Sequence, residues 1–133
     1  MTNDFIGTII EESLEDNTVL KKVKVLATRV EKVTAKHQTP WLQHWTLHTI
    51  EVLEDKAKRI AQEISKVIGS KPCSSTAGYW YADFKNETRH YIIFRNKVFH
   101  IDRKSKEQYE TARQYGLSLG IPEYQVDFHR FLL

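Results

Sequence analysis

Nucleotide and hydrolase signatures are missing from this chain. It contains no G-x-x-x-x-G-K-[ST], no G-x-G-x-x-G and no G-x-S-x-G. That removes phosphate cradling by a P-loop or a dinucleotide turn, and it removes the nucleophile elbow of an α/β-hydrolase. No apolar run approaches the roughly 20 residues a membrane span needs. The first residues, MTNDFIGTIIEE, are acidic where a signal peptide would be basic. Cysteine is almost absent: Cys73 stands alone, so no internal disulfide can form. Together these absences lead to the expectation of a cytoplasmic protein with no membrane partner. No cofactor or metal is called for by any motif.

What is present is ordinary globular composition, with 41% hydrophobic and 28% charged residues in a chain of 133. That length favours one domain, and such a domain buries roughly two-thirds of its unfolded surface without staples. The net charge of +3 is small, but it is unevenly spread. Residues 1–20 hold five acids and no Lys or Arg, and residues 21–36 hold six bases and one acid, Glu31. Solvated faces are the plain reading of such runs. A basic strand meeting a polyanion through Lys21, Lys22, Lys24 and Arg29 is the sharper one.

Seven of the fifteen aromatic residues fall between Gly78 and Asp102. This stretch reads as a meander of three antiparallel strands, with turns at Asn86-Glu87 and Asn96-Lys97. Alternation then sorts its side chains onto two faces. Tyr79, Tyr81, Asp83, His90, Ile92, Phe94, Phe99, Ile101 and Arg103 form one face, expected to be the core face. Trp80, Ala82, Phe84, Arg89, Tyr91, Ile93, Val98, His100 and Asp102 form the other. That second face is aromatic and mixed with charge. It is expected to be core under an N-terminal helix, a homodimer contact, or a stacking surface for a ligand or nucleic acid through Trp80, Phe84, Arg89, Tyr91 and His100.

Elsewhere, Phe5, Ile6, Ile9, Ile10 and Leu14 recur as on a helix over Asp4–Leu14, with Gly7 a discordant note. Lys21–Val33 reads as a strand whose broken alternation calls for a bulge near Leu26. Gln43–Val52 reads as a central strand with both faces buried. Asp55–Ile68 is a helix with an apolar stripe of Ala57, Ile60, Ala61, Ile64, Val67 and Ile68. A loop, SKPCSSTA, spans 70–77. Ser105 and Gln108 open a last helix whose inner side is Tyr109, Ala112, Gly116 and Leu119, and a short strand follows at Tyr124–Phe128. The order from Gln43 is that of a ferredoxin-like α+β plan across residues 43–128. Residues 1–36 add a helix and a strand in front of it.

The stretches WYADF (80–84), HYIIFRNKVFHID (90–102) and YGLSLGIPEYQVDF (115–128) resemble a family of small bacterial proteins to which no activity is assigned. The resemblance implies a self-contained bacterial domain and carries no catalytic residue with it.

Three sets of residues invite chemistry. Asp83 opposite His90, with Arg103 alongside, suits acid–base work, since a carboxylate orients an imidazole and raises its pKa. The competing reading is an ion pair finishing the polar end of a sheet. His44 and His48 have H-x-x-x-H spacing, but on a strand they stand about 13 Å apart, too far for one metal ion. Cys73 has neither a base nor a helix N-terminus near it in sequence, so it reads as an incidental surface thiol. The functional expectation is a non-enzymatic binding or interaction domain, dimeric or with a protein partner, with a small ligand admissible. The alternatives are a small enzyme using Asp83, His90 and His48, and a nucleic-acid-binding domain.

Overall fold

The computed structural model describes residues 3–14, 16–32, 44–68 and 80–119. The 70–77 loop, Cys73, Tyr79 and the strand expected at Tyr124–Phe128 lie outside the described residues.

The architecture is α+β. Six strands, β1 (Phe5–Ile10), β2 (Lys24–Lys32), β3 (His44–Val52), β4 (Tyr81–Lys85), β5 (Arg89–Phe94) and β6 (Lys97–Asp102), form one antiparallel sheet. Their order across the sheet is β2-β3-β1-β4-β5-β6. Among the described residues two helices, α1 (Ala57–Val67) and α2 (Lys106–Ser118), cover opposite faces.

The N-terminal helix expected over Asp4–Leu14 is instead strand β1, followed by a 3-10 turn at Glu11–Ser13. A spacing of four, Phe5 to Ile9, suits one helix face and one strand face alike. Gly7, midway on that same strand face, decides the matter. Across from it, β4 comes so close that a Cβ on Gly7 would fall well inside contact distance of the Asp83 carbonyl oxygen and Phe84 Cα. Only a glycine lets the two backbones meet there. β1 thus occupies the slot between β3 and β4.

That slot is also why the ferredoxin-like plan does not describe these residues. There, both helices share one sheet face, and a strand of the second half separates the first two. Here the separating strand comes from the N-terminus, and the helices lie on opposite sides.

Helix α1 carries the expected stripe. Ala57, Ile60, Ala61, Ile64 and Ile68 are buried against Phe5, Ile9, Ile50, Val52, Ala82, Phe84, Tyr91 and Ile93. Its C-terminal turn is latched to the β5–β6 hairpin: Ser65 donates its hydroxyl to the Phe94 carbonyl at 2.7 Å, and Asn96 N–H donates to the Ser65 carbonyl at 3.0 Å. Helix α2 is capped by Ser105, whose hydroxyl oxygen accepts from Gln108 N–H at 3.2 Å. The Gln108 side chain reaches back one stage further than a capping box, accepting from Asp102 N–H at 2.7 Å. Tyr109 and Ala112 pack α2 onto Ile92, Phe94 and Ile101.

The meander keeps its faces but shifts its pairing. Asp83 pairs with Ile92, not His90, and Ile92 with Phe99, not Ile101. Both shifts are by two residues, and an even shift preserves which side each residue takes. At the first turn, Asn86 uses its side chain: Oδ1 accepts from Thr88 N–H and Arg89 N–H at 3.0 and 2.7 Å. This bridges the three-residue connection of Asn86, Glu87 and Thr88 between β4 and β5. At the second, the two-residue turn is Arg95-Asn96, and Asn96 takes a positive φ of 58°. The bulge near Leu26 is present, between Val25 and Ala27 of β2.

Candidate functional site

On the α2 side, that helix covers β4, β5 and β6 and stops there. Beside it, over β1 and β3, lies an open groove of ≈ 180 Å³ lined by Thr8, Ile10, Trp45, Leu47, Trp80, Tyr81 and Asp83. Strand ends build it. β1 stops at Ile10, and the chain turns away through Glu11–Ser13. Glu12 then takes over the β3 groups that lose their β1 neighbour, accepting from Thr46 N–H and the Thr46 hydroxyl at 2.6 and 2.7 Å. Beyond the end of β1, Trp45 of β3 and Trp80 just before β4 meet edge to face, with centroids 5.3 Å apart. Ile10 and Leu47 are its aliphatic side chains, Trp45, Trp80 and Tyr81 its aromatic ones, and Asp83 is the one acid among the described lining residues.

Asp83 is held from behind. Its Oδ2 takes a hydrogen bond from His90 Nε2 at 2.7 Å, and His90 Nδ1 lies 3.0 Å from the Tyr109 hydroxyl. His90 and Tyr109 are fully buried. Arg103 hydrogen-bonds the Tyr109 side chain in turn. A chain of contacts thus runs from the guanidinium to the phenol oxygen, from the phenol to Nδ1, and from Nε2 to the carboxylate. Burial pushes the Tyr109 phenol pKa up, and Asp83 adds to that, while Arg103 opposes it. The phenol therefore keeps the proton that it donates. Tyr109→Phe leaves His90 Nδ1 buried without its donor, so urea unfolding should show a loss of about 1–3 kcal/mol.

The expected Asp83–His90 contact is therefore made, but between diagonal neighbours, because Asp83 stands opposite Ile92. Arg103 joins through Tyr109. His48 does not belong to this group. It lies on the α1 side, where Nε2 meets Glu11 at 2.8 Å and Nδ1 meets the Thr28 hydroxyl at 2.9 Å. The sheet therefore brings Asp83 and His90 together and places His48 on the opposite face. His44 and His48 sit on a strand, and among the described residues no group of three or more ligating side chains could hold a metal.

The aromatic face proposed for ligand stacking is closed. Phe84 and Tyr91 lie in the core beneath α1, not under an N-terminal helix, and Phe5 packs edge-on to both rings. Arg89 and His100 are exposed at its margin. His100 stacks on Tyr91 at 4.4 Å, with planes 2° apart. Trp80 packs against the same core and reaches the groove. It is the one member of the proposed stacking set that the groove includes.

His100 also has a pH consequence. Partial burial, then Arg89 and Lys58, lower its pKa below 6.5. The unfolded chain therefore binds this proton more readily, and the stability that depends on neutral His100 is lost as pH falls through about 6.5. Thermal melts between pH 8 and 5 should show a shallower acid decline in His100→Gln than in the unaltered chain.

The basic residues are spread out rather than gathered. Lys21 and Lys22 lie in a 3-10 turn, not a strand, and Lys22 pairs with Glu63. Lys24 and Arg29 are on β2, with Arg29 against Glu31 at 3.5 Å.

Sequence reasoning missed Thr8, Ile10, Trp45, Leu47 and Tyr81 as site residues. The available signal was that Trp45 and Leu47 share a strand face with no helix assigned to cover it. Comparison with known proteins supplies no family: no family model matches the chain, and neither a curated protein nor a solved structure matches it.

Proposed function

We propose that this protein is a non-enzymatic binding domain whose small ligand occupies the groove beside α2. The observation that carries the reading is the wall composition: among the described lining residues, three aromatic side chains and two aliphatic ones converge with the hydroxyls of Thr8 and Tyr81 and the carboxylate of Asp83. Concave, mostly apolar sites with few oriented polar groups are the usual form of small-molecule sites. The working surface thus moves from the aromatic face beneath α1 to the opposite side of the sheet. A fragment screen followed by amide and indole NMR shifts tests it. The expected shifts cluster on Thr8, Ile10, Leu47, Trp45, Trp80 and Asp83. Shifts confined to the β2 edge, or none with any fragment, would count against it.

One observation favours a second reading, acid–base chemistry at Asp83. The chain of contacts from Arg103 through Tyr109 and His90 orients that carboxylate as a base would need. Among the described lining residues no side chain is activated as a nucleophile by a hydrogen-bonded base, which is why binding ranks first. Turnover of a groove-binding fragment that vanishes in Asp83→Asn would reverse that order.

A further inference from the structure

The geometry points to a small organic ammonium ion as the groove's ligand, with its charge against Asp83 and its alkyl groups against Trp45, Trp80 and Tyr81. This rests on the reading of the groove as a binding site and names the chemistry it selects.

Anions are excluded first. Among the described residues that line the groove none is a lysine or arginine, while one, Asp83, is a carboxylate. An anionic ligand would face like charge on an apolar surface, with no compensating cation among those described lining residues. The cations near Asp83 stand at the far end of its strand. Arg103 donates to the Asn86 carbonyl at 2.6 Å, and Lys85 lies beyond Asp83 in the direction of that turn. Tyr81 and the tryptophans are at the other end. Asp83 therefore separates a basic margin from an aromatic groove.

Neutral ligands are admissible to an apolar groove, but three features favour a cation over a neutral molecule of equal shape. Trp, Tyr and Phe faces attract a cation through the ring quadrupole, and tryptophan is the strongest of the three. Two tryptophans and a tyrosine line this site. Asp83 is only 19% exposed, so its charge acts through less water than a surface acid's would. Finally, His90 engages Oδ2 and leaves Oδ1 without a hydrogen bond among the described residues. The carboxylate is thereby oriented with one acceptor in reserve. The ≈ 180 Å³ of space suits a compact head such as a trimethylammonium with a short tail.

Three probes of one shape test this on the unaltered chain. They are choline, its uncharged carbon isostere 3,3-dimethylbutan-1-ol, and the anionic 3,3-dimethylbutanoate. Binding is read from the indole and amide shifts of Trp45, Trp80, Thr8 and Asp83. Choline should bind about tenfold more tightly than the alcohol, and the acid least. Asp83→Asn should remove most of choline's advantage while leaving the alcohol's affinity near its original value. Because the isosteres are compared on the unaltered protein, the result does not depend on that variant folding. Equal binding of choline and alcohol in the groove would overturn the ammonium assignment and leave the groove a binding site. A preference for the acid would do the same. No groove shift with any of the three would overturn both readings.

Discussion

Gly7→Ala should cost this protein about 3 kcal/mol or more, measured by urea unfolding, although it adds a single methyl group. The usual gain from replacing glycine, a smaller unfolded-state entropy, is worth only about 0.4–1 kcal/mol and requires that the native backbone accept a Cβ. Here it does not. The Cβ would meet the backbone of β4, and backbone cannot rotate away as a side chain can. Relief would require β1 to move away from β4 across the centre of the sheet. That would undo the pairs Ile6–Lys85, Gly7–Phe84 and Thr8–Asp83 together. A helix at the N-terminus would give the opposite result, since alanine in a helix interior is better than glycine by about 1 kcal/mol. The sign of the change therefore separates the two structures.

Phe84→Ala should destabilise by about 3–5 kcal/mol, the range for truncating a fully buried phenylalanine. Phe84 has no exposed surface and packs with Phe5 at 5.5 Å and Tyr91 at 5.2 Å between ring centroids. Had this face been an open stacking platform, truncation would alter binding and leave stability within about 0.5 kcal/mol. Urea unfolding of the variant distinguishes a core residue from a ligand contact. It also tests whether α1 shields this face in solution.

Much of the local structure could be read from the residues. Helix α1 was legible because Ala57, Ile60, Ala61 and Ile64 follow the helical period without interruption. The faces of the meander were legible because alternation survives any even slip. The bulge at Leu26 was legible because alternation breaks there, with Val23 and Val25 on one face and Leu26, Thr28 and Val30 on the other. Pairing register was not, because Asn86 works through its side-chain oxygen rather than a positive φ, which lengthens the turn. Strand order was not legible either. Phe5 and Ile9 fit two periods equally, and the fact that places β1 centrally is a contact between residues 7 and 84. The groove went unseen for the same reason: its floor is β1, and its rim forms where β1 ends.

The central strand is thus the claim on which the covered aromatic face and the open groove both depend. Proton–proton NOEs from Phe5–Ile10 test it most directly. The fold described here predicts cross-strand contacts from this segment to Leu47–Val52 on one side and to Asp83–Lys85 on the other. Sequential helical contacts from residue i to i+3 along Phe5–Ile10, with no cross-strand partners, would contradict it.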